Sequence, residues 1–349
     1  MSPHRILLTG ANGFVASHIL AQLLSASHSV RAVVRSASKA SAVRALHPSS
    51  PNLDVAIVPD MTAPGAFDTA LQSDPPFDIV MHTASPFLMK AADSTSHFLE
   101  PAIKGTTEVL EGVKRVAGGV RRIVLTSSFA AVGSFGLKDE RGKVYDESDW
   151  DPVTLEMVEE NTADKRLAYR ASKTFAERAA WDVVEKGGQG LVWDLVVLNP
   201  PMIYGPLAHK VAKTEELNES TARIYDGFLK DQSPEKELPP NGLHLYVDVR
   251  DIAQAHVLAM DAPHARNKRF FVSSGSVTSQ QIADILREKV PGAVERVPKG
   301  TPGANTLAAD AFKGNNTRVK EVLGLQFRSM EETFSDLGRQ LVEIEASEQ

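Results

Sequence analysis

The stretch that most constrains this chain is its opening, Arg5-Ile6-Leu7-Leu8-Thr9-Gly10-Ala11-Asn12-Gly13-Phe14. Three aliphatics and a Thr predict a short buried strand, and Gly10 and Gly13 follow at once. Apolar residues at helical spacing then run on through Phe14, Ile19, Leu20, Leu23 and Leu24. A strand, a tight glycine turn and a helix start bring backbone N–H groups up to an anionic pyrophosphate. Gly10 allows the sharp turn, Gly13 keeps a Cβ away from the phosphates, and Ala16 lets the helix pack close to the strand. The spacing is G-x-x-G-x-x-A, a weaker signal than G-x-G-x-x-G, and a plain strand-to-helix turn would also produce it. Its place at the head of a strand–helix alternation gives it weight.

That alternation continues. Ser29–Val34, Asp54–Val58, Asp78–Ser85 and Arg122–Thr126 read as further strands, with helical patterns between them. The predicted architecture is a doubly wound parallel α/β sheet of Rossmann type, followed by a smaller substrate-binding lobe. We place the nucleotide-binding domain at 1–199 and the substrate lobe at 200–349, with about 243–262 returning to the Rossmann sheet. Several prolines between 200 and 242 fit a loop-rich substrate lid.

Bulk properties narrow the function. A net charge of −6 gives no basic field for nucleic acid. The chain has no cysteine, so thiol nucleophiles and thiolate metal sites are excluded, and its 10 histidines are scattered without metal spacing. No run is long and apolar enough to span a bilayer. The expectation is a cytoplasmic protein with no metal, no membrane partner and no nucleic-acid partner, acting as a monomer or homodimer.

Strand ends carry the candidate chemistry. The second strand runs into Arg35, with Lys39 one turn on, where an acidic residue would favour NAD. Arg offers a fork of donors to a 2′-phosphate, which predicts NADPH, although two solvated surface cations would look the same. Asp60 and Met61 end the third strand; the Asp could accept from adenine or cap a helix. Small residues Thr83 and Ala84 suit an edge crossed by a cofactor, and Pro86-Phe87-Leu88 could wall a substrate. Ser127 and Ser128 reach the same edge, where either could bond a ligand oxygen or its own backbone. Tyr169 and Lys173 stand four residues apart in a helical pattern, hence on one face. With 5 tyrosines in the chain such a spacing is common by chance. The order of glycine turn, serine, then tyrosine and lysine is what gives it meaning.

Those features resemble the extended short-chain dehydrogenase/reductases, and within them the dihydroflavonol-reductase-like branch. The likeness is carried by Gly10–Phe14, His82-Thr83-Ala84-Ser85-Pro86-Phe87, Val124–Ser128, Tyr169 with Ser172-Lys173, Asn199-Pro200 with Tyr204-Gly205-Pro206, and Tyr246–Asp251. It implies a catalytic trio of Ser128, Tyr169 and Lys173, with Ser128 preferred over Ser127. It implies cofactor contacts from Gly10, Ala11, Asn12, Gly13, Phe14 and Val15, and from Arg35 and Lys39 at the 2′-phosphate. Asp60, Met61, Thr83, Ala84, Tyr169, Lys173, Pro200, Ile203 and Ser220 complete the cofactor set. Phe87, Phe129 and Tyr204 are the expected substrate wall. The implied activity is NADPH-dependent reduction of aldehydes and ketones, including methylglyoxal, isovaleraldehyde, prochiral ketones and keto esters. In that chemistry Tyr169 supplies the proton, Lys173 lowers the phenol pKa, and Ser128 bonds the carbonyl oxygen. The alternatives are an NAD-bound sugar epimerase or dehydratase, a hydroxysteroid-type dehydrogenase, and a non-catalytic NADP sensor. One departure stands out: where many relatives carry an Asn at the start of the fourth helix, this chain has Ala102, so a proton relay through that side chain is in doubt.

Overall fold

The structure, a computed structural model, describes residues 3–85 and 96–348. Its centre is a seven-stranded sheet in which every pairing is parallel. Five strands correspond to the sequence reading, β1 (Arg5–Thr9), β2 (Ser29–Val34), β3 (Leu53–Ile57), β4 (Ile79–His82) and β5 (Arg122–Thr126), and a further one, β6 (Asp194–Asn199), was not read there. After two strands of a separate small sheet, β7 (Met202–Tyr204) and β8 (Leu245–Asp248), the chain returns as β9 (Lys268–Phe271). The order across the large sheet is β9-β6-β5-β4-β1-β2-β3. The reversal beside β1 leaves a crevice at the strands' C-terminal ends, the usual ligand position in such sheets.

Both faces of the sheet are covered, so its strands are apolar on both sides. One face packs on the helix Phe14–Ser25 and the helix Val249–Ala259, with Ile19, Leu23, Ile252 and Ala255 fully buried. The other packs on the long helix Ser96–Val116 and the helix Lys165–Gly187, which also pack on each other. The expected return of 243–262 to the Rossmann sheet needs correction. Its helix covers the large sheet, but its strand, β8, pairs with β7 and with Gly275–Ser276 in a three-stranded sheet. The strand that joins the large sheet is β9, pairing with β6. Around the small sheet a second core forms from Tyr204, Phe228, Leu286, Phe334 and Leu337.

Two boundary shifts have local causes. The strand expected over Asp78–Ser85 stops at His82, because the Thr9 hydroxyl accepts from the backbone N–H groups of Thr83 and Ala84, each at 3.2 Å. The Tyr169 helix begins at Lys165, where Asp164 accepts from the N–H groups of Arg166 and Leu167. An Asp in that position satisfies donors that otherwise lack partners.

His256 lies under the sheet with no exposed surface. Its Nδ1–H donates to the Ile252 carbonyl at 2.7 Å, so Nε2 accepts from the Thr126 hydroxyl at 2.6 Å. Burial pulls its pKa down to about 4. A histidine held neutral in the fold contributes stability that is complete above its unfolded pKa near 6.5 and is lost as pH falls toward the folded value. At pH 5 the loss is about 2 kcal/mol. Urea unfolding at pH 7 and pH 5 should record it, and His256→Gln should reduce the difference between the two. The buried carboxyls of Asp151 and Asp251, pushed up by burial, act in the opposite sense in both proteins.

Candidate active site

Past the C-terminal ends of β1 to β4 runs an open groove of about 1220 Å³ counting its mouth. It brings together Gly10, Asn12, Gly13, Arg35, Asp60, Met61, Thr83 and Ala84, all expected from the sequence. At Gly10 the backbone φ is +68°, and a Cβ would stand 3.0 Å from the Ala84 backbone. Gly10→Ala should therefore cost roughly 1–3 kcal/mol in stability and disturb the turn at the groove; thermal unfolding and nucleotide titration would register both. Gly13 is the N-cap of the helix Phe14–Ser25, has no side chain to cap it, and no acidic residue lies in the first turn. The helix N-terminus is thus left with free donors and partial positive charge facing the groove, which suits a pyrophosphate.

At the far end of the groove Arg35 is exposed; Lys39, also exposed, lines a second pocket that shares Asn12 with the groove, and among the described residues neither cation forms an ion pair. The hydroxyl of Ser36, between them, caps the next helix by accepting from the Lys39 N–H. A cationic pair at a second helix start fits a further phosphate. The donor set thus fits a dinucleotide with a 2′-phosphate. Asp60 is tied by one oxygen to the N–H and hydroxyl of Thr62, at 2.8 and 2.7 Å, which holds its carboxyl below the usual range. Met61 lies against Gly105, where its Cε occupies the space a Cβ would need.

The other end of the groove meets the Tyr169 helix. That helix is pinned at two points. Arg170 makes a two-pronged ion pair with buried Asp151, both contacts at 2.8 Å. Glu177 accepts from Arg269 on β9 and from Asn199 on β6. Between these anchors Lys173 Nζ donates to the Ser85 hydroxyl at 2.8 Å and lies 5.8 Å from the centre of the Tyr169 ring. Burial pulls the Lys173 amine down to about 8, so it is charged at neutral pH. The two serines separate. Ser127 donates to Glu177 at 2.5 Å, whereas the side chain of Ser128 hydrogen-bonds the Tyr169 hydroxyl. Burial dominates and pushes the phenol up, with Ser128 pulling the other way.

Several expected contacts fall elsewhere. Phe129 is 1% exposed and packs among Tyr145, Phe271 and Phe312, and Tyr204 is 1% exposed against Phe334. Both are core residues and are removed from the substrate wall; at the sequence level an aromatic in a loop looks the same whether it lines a pocket or fills a core. Phe87 lies outside the described residues. Ala11 is buried, its N–H donating to the Val33 carbonyl, while Phe14 packs edge-on to His18 and His209. Pro200 accepts from the Phe129 N–H, and Ser220 accepts from Asn218. Neither of these, nor Val15 or Ile203, is part of the groove lining. Ala102 is buried within its helix. Missed in the sequence were Ser85 and Glu177, the partners that fix Lys173 and its helix. Glu177 could have been found as the second acid-base side chain on the Lys173 face, four residues on.

Among the described residues no group of His, Asp and Glu could hold a metal ion, and no helix is long and apolar enough to cross a membrane.

A parallel sheet with a glycine turn at its crevice and a Ser, Tyr, Lys cluster at one edge defines a nucleotide-dependent enzyme of the extended short-chain dehydrogenase/reductase class. The chain belongs to the NAD dependent epimerase/dehydratase family, whose model matches residues 6–272. Over 348 residues it is 34% identical to the NADPH-dependent methylglyoxal reductase GRE2 of Saccharomyces cerevisiae, covering 97% of this chain and 98% of that one. It is 36% identical over 347 residues to the ketoreductase azaE of Aspergillus niger, covering 97% and 98% of the two chains. The crystal structure of yeast methylglyoxal/isovaleraldehyde reductase Gre2 complexed with NADPH superposes with a TM-score of 0.90 at 34% identity, over 98% of this chain and 99% of the other.

Proposed function

We propose that this chain is an NADPH-dependent carbonyl reductase that converts small aldehydes and ketones to alcohols. The observation that carries the reading is the meeting, at one sheet edge, of a dinucleotide-sized groove and the Ser128, Tyr169, Lys173 cluster. The similar reductases, named for methylglyoxal, isovaleraldehyde and ketone substrates, support the same class.

NADPH, when bound, supplies the hydride. The remaining work is done by the chain. Gly10, Gly13 and the helix start receive the pyrophosphate, and Arg35 with Lys39 hold the 2′-phosphate. Lys173 has three N–H donors; Ser85 takes one, and a ribose hydroxyl can take another. Tyr169, kept as a neutral phenol by burial, is the proton donor to the carbonyl oxygen. Ser128, bonded to that phenol, can turn its single O–H to the same oxygen as negative charge builds on it.

The direct test follows oxidation of NADPH and of NADH against methylglyoxal, isovaleraldehyde, an aryl ketone and a β-keto ester. Turnover with NADPH well above NADH is the expected result. Cofactor binding without turnover on any of the four would overturn the reading in favour of the epimerase or sensor alternatives.

A further inference from the structure

We propose that the small cavity beneath Lys173 is a site for one water molecule, and that His82 acts through this water as a positioning residue for the Lys173 ammonium. The argument starts at Thr9. Its hydroxyl has two lone pairs and one proton. The backbone N–H groups of Thr83 and Ala84 occupy both lone pairs. The proton is left for His82 Nδ1, 2.8 Å away, which must accept it. The ring proton of neutral His82 therefore sits on Nε2. His82 is 1% exposed, and burial holds it neutral with a pKa of about 3.

Nε2 is buried and has no hydrogen-bond partner among the described residues. An N–H donor left in that state costs about 1–3 kcal/mol. His82 lines a cavity of about 20 Å³, enough for one water, whose wall also includes Ser85, Thr106, Ser127, Lys173 and Glu177. The cavity shares Ala84 and Ser85 with the cofactor groove, so it opens at the end where Lys173 stands.

The charged and titratable neighbours leave the water little choice of role. Glu177 is already filled: Ser127 and Asn199 donate to one oxygen, Arg269 and Trp181 to the other. On the far wall the Thr126 hydroxyl is spent on His256. Tyr169 turns its hydroxyl to Ser128. The hydroxyls of Ser85 and Thr106 also line the cavity, and its open nitrogen donors are His82 Nε2–H and the Lys173 N–H left over from Ser85 and ribose. One water can accept from both. It gives the ammonium a third partner, satisfies the histidine, and keeps two N–H groups from confronting each other across the cavity. Ala102 carries no polar side-chain group, so this support does not come from that position.

The site depends on the proposed role of Lys173 only for its effect on turnover. The test therefore measures Lys173 directly in cofactor-free protein, from the pH titration of its ε-carbon resonance, assigned by its disappearance in Lys173→Met. His82→Asn keeps a short amide toward Thr9 and withdraws the donor from the cavity; His82→Gln returns an N–H to the Nε2 position. Loss of the water removes an acceptor from the ammonium, so the Lys173 pKa should fall by about one unit in His82→Asn and stay in place in His82→Gln. A rise in His82→Asn would mean that only a repulsive dipole had been removed, with no water between. That rise, no change, or an equal fall in both variants would overturn the proposal. Thr106→Val removes a polar wall without touching Thr9 and should lower the value as His82→Asn does; if it does not, the site is not a water site. Absence of carbonyl turnover in the unmodified protein would strike the reductase reading alone.

Discussion

Tyr169→Phe is expected to lower kcat for carbonyl reduction by about 10²–10⁴-fold, the usual contribution of a positioned general acid. NADPH affinity, followed by nicotinamide fluorescence, should change little, since the ring is retained and Lys173 remains between Ser85 and the groove. The pH dependence has a defined sign. Tyr169 must carry its proton to act as the acid, so reduction should fall on the alkaline side of its apparent pKa, and burial moves that limit upward in the cofactor-free protein. Oxidation of the alcohol needs the phenolate and should rise with pH over the same range. A Tyr169→Phe protein that keeps most of its kcat would remove the phenol from the chemistry and leave the trio without its acid.

Arg35→Glu should weaken NADPH by about 10²-fold or more and bring NADH to parity or better. Charge-assisted hydrogen bonds contribute about 1.5–3 kcal/mol each, and 1.36 kcal/mol corresponds to a factor of ten. The reversed charge then repels the 2′-phosphate and offers an acceptor to a ribose hydroxyl. Lys39→Ala alone should do less, because a flexible ammonium on the surface binds phosphate without a fixed fork. Dissociation constants for both nucleotides, measured in both variants at one ionic strength, decide this. Equal losses for NADPH and NADH would place Arg35 elsewhere than at the 2′-phosphate.

Most of the sheet was legible because its signals are local. β2 and β5 are bounded by residues whose periodicity and flanking polar groups already mark them. The glycine turn and the Tyr169–Lys173 face could be located for the same reason. What was not legible depended on side chains distant in sequence. Thr9 ends β4 early from 74 residues away, through a hydroxyl that no strand propensity registers. Phe129 and Tyr204 look like pocket residues until Phe271, Phe312 and Phe334 arrive from the last third of the chain and enclose them. Ser127 and Ser128 are adjacent and alike, and only the approach of Glu177 to one and Tyr169 to the other separates them.

The late strand β9 has a consequence for how the molecule is made. It completes the large sheet at the edge of β6, and its Arg269 reaches Glu177 on the helix that bears Lys173. A ribosome that has released residues 1–199 has therefore released neither the outermost strand nor the clamp on the helix that bears Tyr169 and Lys173. Fragments ending before Lys268 would expose the β6 backbone to other chains, a recognised route to aggregation. The cores of the large and the small sheet are therefore bound into one cooperative unit: an excised N-terminal half should precipitate, whereas a chain cut within the 233–243 loop should stay assembled and melt as a single transition.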